Sequence, residues 1–160
     1  MTERTKIVQP VNATVQQTDN YARTLADLDR VVLADVKNQW VDFQSSRNRD
    51  AIYGYLNIVF MQVDWWEQNP LEKDEALQAI KQQNPKLVLP EDPFAAVMAC
   101  TADPKKVDDK TRSKWSRVLR YAAKYKPDKE LLRDFLQRKG GINKCAGRYA
   151  RRIGHCKSRT

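Results

Sequence analysis

The stretch IYGYLNIVFMQVDWW, residues 52–66, decides the fold. Its apolar side chains point in nearly every direction around a helix: Ile52, Tyr53, Tyr55, Leu56, Ile58, Val59, Phe60, Met61, Val63, Trp65 and Trp66. A helix of that kind needs cover on most sides, so it is expected at the centre of a bundle or in a dimer interface. It falls short of the roughly 20 apolar residues that span a bilayer, and Asn57, Gln62 and Asp64 interrupt it. With Asn48 as a cap and Asn69-Pro70 as a stop, the helix is expected from about Arg49 to Gln68. Trp65-Trp66 invites comparison with a base-stacking platform, but its place on so apolar a helix favours the core.

Upstream, Tyr21, Leu25, Leu28, Val32, Val36, Trp40 and Phe43 recur every three or four residues, one face of a long amphipathic helix capped at Thr18 or Asp19 and ending near Ser46. Met1 to Gln17 shows no such period and is expected to be a flexible arm. Downstream, Asn69-Pro70 and Asp92-Pro93 each place a cap before a proline that fits the first helical position. They start a third helix that stops at Asn84-Pro85 and a fourth from Pro93 to about Cys100. Residues 103–107, with Pro104, form the expected linker. A fifth helix starts at Asp108-Asp109, where carboxylates suit the helix dipole, and runs to about Tyr125. A sixth carries Leu131, Leu132, Phe135 and Leu136 and stops at Gly140-Gly141. A seventh runs from Ile142 to Ile153, before a basic tail of residues 154–160. The expected class is therefore all-α with about seven helices. The expected parts are an arm (1–17), an acidic bundle (18–102), a linker (103–107), a basic part (108–153) and a tail (154–160).

Composition fits that reading. The chain has 160 residues, 41% of them hydrophobic and 31% charged, with only 5 glycines and 7 prolines. The apolar share supports a core and excludes wholesale disorder, and the scarcity of turn residues disfavours an all-β fold. Charge is segregated: Lys105 to Thr160 holds 19 of the 29 basic and 5 of the 20 acidic residues, a balance of +14 against −5 for the remainder. Self-repulsion on that scale costs stability unless a polyanion relieves it. Nucleic acid is the expected polyanion. Three cysteines, Cys100, Cys145 and Cys156, fit no common disulfide framework, and the first residues lack an apolar signal segment. Reduced thiols in a cytoplasmic protein are expected.

Residues 131–152 read LLRDFLQRKGGINKCAGRYARR: a short apolar-faced helix, a glycine turn and a basic amphipathic helix. Ile142, Cys145, Ala146, Tyr149, Ala150 and Ile153 form one apolar face with small residues at its middle. Asn143, Lys144, Gly147, Arg148, Arg151 and Arg152 lie on the other side, and no acidic residue occurs from Gln137 to Thr160. The segment resembles the helix-turn-helix DNA-binding proteins over these 22 residues; two adjacent glycines in the turn leave the register open. The resemblance implies that helices five to seven form a trihelical unit with a core of Trp115, Leu119, Leu132, Phe135 and Tyr149. It also implies that Asn143, Lys144 and Arg148 contact bases while Arg151 and Arg152 hold phosphate. On the fifth helix Lys110, Lys114, Arg117 and Lys124, with Tyr121 among them, form a basic stripe expected to contact phosphate.

Little in the sequence suggests catalysis. His155 is the single histidine, and with three scattered thiols it does not make a structural zinc pattern. No phosphate-cradling glycine loop or nucleophile elbow occurs, and the acidic pairs Glu91-Asp92 and Asp108-Asp109 fall at helix starts, where capping explains them. A non-enzymatic DNA-binding protein without cofactor or metal is expected, a regulator of transcription or replication, paired as a homodimer to match two half-sites, with no membrane association. Two alternatives stay open: an interaction protein or inhibitor whose basic face binds an acidic protein, and an RNA-binding protein, for which only Tyr121 is placed as a stacking aromatic.

Overall fold

Short polar residues and prolines punctuate the chain, and the helices begin and end where they stand. The structure, a computed structural model, describes residues 33–157. Among the described residues there are seven helices and no strand: α1 (33–45), α2 (Ala51–Gln68), α3 (Pro70–Gln83), α4 (Pro93–Thr101), α5 (Asp109–Tyr125), α6 (Leu132–Arg138) and α7 (Ile142–Lys157). The arm, the cap at Thr18 or Asp19, and Tyr21, Leu25, Leu28 and Val32 lie outside them. None of these helices is long and apolar enough to cross a membrane.

Asp92 accepts a hydrogen bond from the Phe94 amide at 3.3 Å and starts α4; Asp108 accepts from the Thr111 amide at 2.8 Å and starts α5. Each satisfies one of the amides that a helix start leaves without a partner. Hydrogen bonding from Thr111 holds the Asp108 carboxyl below the usual range. Two caps differ from expectation. The Asn69 side chain turns back and donates to the Trp65 carbonyl at 3.0 Å, closing α2 rather than opening α3. Asn48 accepts from the Asp50 amide in a turn, and α2 begins at Ala51. At the other end α7 runs to Lys157, past the expected stop at Ile153, because Gly154 is not followed by a proline or a turn.

Helix α2 is the central element and packs against α3, α4, α5 and α6. Ile52, Tyr55, Leu56, Val59, Val63 and Trp66 are buried, while Met61 and Trp65 stay about half exposed. Most of the apolar surface that suggested a dimer is thus covered within one chain. Trp65 is not free either: its indole N–H donates to Glu72 at 2.8 Å. From α1, Val36 and Trp40 enter the core and Phe43 packs against it. One apolar cluster runs from Val36 to Ala146, so the acidic and basic parts share a core. The expected linker does not divide it, since Ala102 and Val107 are themselves buried. Inside, Thr101 donates to the Val97 carbonyl at 2.8 Å, which leaves the Tyr55 hydroxyl to donate to Thr101 at 2.8 Å. Burial pushes the Tyr55 phenol up to about 12.

The turn between α6 and α7 uses both glycines. Gly140 and Gly141 have φ of +95° and +90°, a region that costs side-chain-bearing L-residues about 1–2 kcal/mol. The Gly141 amide reaches the Leu136 carbonyl at 2.7 Å, closing the end of α6. Gly141→Ala meets no neighbour within 4 Å, so its effect isolates backbone strain. It is expected to lower Tm by a few degrees for a loss of about 1–2 kcal/mol. A thermal melt matching the parent's would show that the turn does not need this conformation.

Candidate nucleic-acid interface

Helix α7 lies along α5, the most extensive helix pair among the described residues. Cys145 and Ala146 are fully buried in that contact, with Ile142 and Tyr149 packed at its edge. At about 100° per residue, this leaves Asn143, Lys144, Gly147 and Arg151 on the outward face. Asn143, Lys144 and Arg151 are exposed, and a Cβ on Gly147 would meet nothing within 4 Å. Of the core expected for helices five to seven, Trp115, Leu119, Leu132 and Phe135 are buried and Tyr149 is half-buried.

Arg148 faces another way. It is half-buried and donates to the Lys139 carbonyl at 2.6 Å, satisfying an open carbonyl beyond α6. A guanidinium held there braces the turn, whereas Asn143 and Lys144 stand free at the start of α7. Arg152, expected on phosphate, sits 4.4 Å over the Tyr125 ring and hydrogen-bonds the Tyr125 hydroxyl.

The basic stripe of α5 is interrupted. Lys110 and Lys124 are exposed and Lys114 and Arg117 half-buried, but Tyr121 is only 4% exposed. It packs on Phe135 with ring centroids 5.8 Å apart. The expectation of Tyr121 as an accessible stacking aromatic is therefore corrected: α6 lies on that side of α5 and buries it.

Four cations of the basic part are paired with carboxylates among the described residues. Arg112, Arg120, Arg133 and Arg138 pair with Asp109, Asp92, Asp50 and Glu130. Asp50 and Asp92 come from the acidic part, which supplies part of the countercharge. Arg138 grips Glu130 with two bonds of 2.8 and 2.7 Å and holds its carboxyl below the usual range. By contrast, Lys110, Lys114, Arg117, Lys124, Lys144, Arg148, Arg151 and Arg152 have no carboxylate partner among the described residues. These eight are the cations expected at the interface.

No protein-family model matches the chain, and no curated protein or solved structure is significantly similar to it. The resemblance at residues 131–152 therefore gains no relative.

Sequence reasoning missed a cleft of about 560 Å³ between the end of α2, the start of α4, α5 and the second half of α7. Glu67, Phe94, Lys124, Tyr125, Tyr149 and Arg152 line it, with the Asp92–Arg120 pair at 3.0 Å on one wall. No motif signals it, because its walls come from four separate helices. The Cys100 and Cys145 thiols offer little chemistry: burial pushes Cys100 up to about 11 and also raises Cys145, the reverse of what activates a cysteine nucleophile.

Proposed function

We propose that the protein binds duplex DNA through the outward face of α7 and acts as a regulator of transcription or replication. In this reading Asn143 and Lys144 contact base edges at the start of the helix, and Arg151 contacts phosphate. Lys110, Lys114, Arg117 and Lys124 of α5 add backbone contacts, and Arg148 positions α7 through the Lys139 carbonyl.

The observation that carries this reading is Gly147. Glycine within a helix costs about 1 kcal/mol relative to alanine, and nothing in the protein approaches this one. A smooth patch flanked by Asn143, Lys144 and Arg151, without a carboxylate on the helix, lets a groove wall come close to the backbone. A merely solvated face gains nothing from that glycine.

Gly147→Ala separates the two cases. It is expected to raise stability by about 0.5–1 kcal/mol and to weaken binding to pooled random duplexes several-fold. Asn143→Ala should relax whatever sequence choice the native protein shows, since a good base contact carries about 1–3 kcal/mol of discrimination. A stabilised Gly147→Ala protein with unchanged DNA affinity would mark this as a merely solvated face. Absence of DNA binding beside a stoichiometric complex with an acidic protein would favour the interaction-protein alternative.

A further inference from the structure

We propose that the cleft between α2, α4, α5 and α7 receives an unpaired nucleobase from a DNA strand held on the basic face. This rests on the duplex-binding reading and extends it to a second, base-sized site. The cleft, at about 560 Å³, falls in the range of roughly 300–1,000 Å³ usual for small-molecule sites.

Its aromatic wall is already ordered. Tyr125 packs beside Tyr121, with centroids 4.8 Å apart, and carries the Arg152 guanidinium 4.4 Å over its ring. The Arg152 guanidinium rests against the Tyr125 ring and also lines the cleft, so a base that enters meets it. Bases stack on guanidinium planes as they do on aromatic rings. A guanidinium fixed by both a ring and a hydroxyl loses little freedom when a base settles on it. Lys124 and Arg152 are exposed at the rim and suit the flanking phosphates.

The carboxylates give the cleft a preference. Asp92 is fully engaged, accepting from the Phe94 amide, the Ser116 hydroxyl and Arg120. Glu67 lines the same cleft, is exposed and has no partner among the described residues. A carboxylate accepts from amino groups on base edges. Guanine presents an N1–H and an amino group side by side, whereas thymine presents one N–H between two carbonyls that a carboxylate would repel. The site therefore favours guanine over thymine.

The test compares a perfect duplex with the same duplex carrying one bulged guanine or one bulged thymine, at fixed salt, together with guanosine monophosphate alone. The bulged guanine is expected to bind about tenfold tighter than the perfect duplex, and the bulged thymine distinctly less so. Glu67→Gln should erase the preference for guanine over thymine without changing perfect-duplex affinity. Arg152→Lys, which keeps the charge but not the plane, should shrink the ratio of bulged to perfect affinity, with thermal melts confirming that both variants fold. Equal affinity for bulged and perfect duplexes, with perfect-duplex binding intact, overturns this proposal and leaves the α7 reading standing. No binding to any duplex overturns both. Tight guanosine monophosphate binding without preference for the bulge assigns the cleft to a free nucleotide and likewise overturns the proposal.

Discussion

Trp115→Ala is expected to destabilise the protein by about 3–5 kcal/mol and to do so in both charge halves at once. Trp115 belongs to α5, in the basic part, yet its ring partners are Trp40, Phe43 and Tyr55 of α1 and α2, at centroid separations of 6.4, 6.1 and 6.2 Å. Removing the indole opens a cavity where three other rings from two other helices meet. The loss would be a large share of the roughly 5–15 kcal/mol that keeps a typical domain folded. Denaturant unfolding can be followed by far-ultraviolet circular dichroism for all helices and by fluorescence of Trp40, Trp65 and Trp66, which lie in the acidic half. A shared core requires the two curves to coincide at a lower midpoint. Two separated transitions, with the tryptophan signal unmoved by the substitution, would show that the halves fold independently.

The punctuation of the fold was legible because it is local. A proline at the first helical position, an aspartate one residue earlier or a pair of glycines acts through a few neighbouring atoms, and α3, α4, α5 and the α6–α7 turn fall where those residues stand. The centrality of α2 was legible for a similar reason, since a helix apolar on most sides can only be covered. Roles that depend on which helix lies against which were not legible. Tyr121 shares a periodic stripe with Lys114, Arg117 and Lys124, and period alone assigns it to solvent; Phe135, 14 residues later in sequence, buries it. Arg148 has the spacing of a reading residue but finds a carbonyl nine residues back. The cleft gathers Glu67, Phe94, Tyr125 and Arg152 from four helices, and no window along the chain contains that set. The eight interface cations belong to the legible part in composition only: charge segregation announced them, while the carboxylates that neutralise their four arginine neighbours had to be seen in place.

The cations assigned to phosphate set how steeply DNA affinity should fall with salt. Each phosphate neutralised on duplex DNA releases condensed counterion and contributes about −0.9 to the slope of log affinity against log salt. Lys110, Lys114, Arg117, Lys124 and Arg151, the cations assigned to phosphate, lack carboxylate partners among the described residues. If all five engage phosphate, the slope is about −4.5, and affinity drops about 500-fold between 50 and 200 mM salt. Arg151→Gln should weaken binding and make the slope shallower by about one. Arg133→Gln is the informative control: it removes the same charge, but Arg133 is already paired with Asp50 at 2.7 Å, so the slope should stay as it was. If both substitutions change the slope equally, overall charge and not the geometry of the face governs binding. A slope near zero means that these cations do not neutralise phosphate and overturns the interface as drawn. The titration therefore measures how many cations act together on the phosphate backbone.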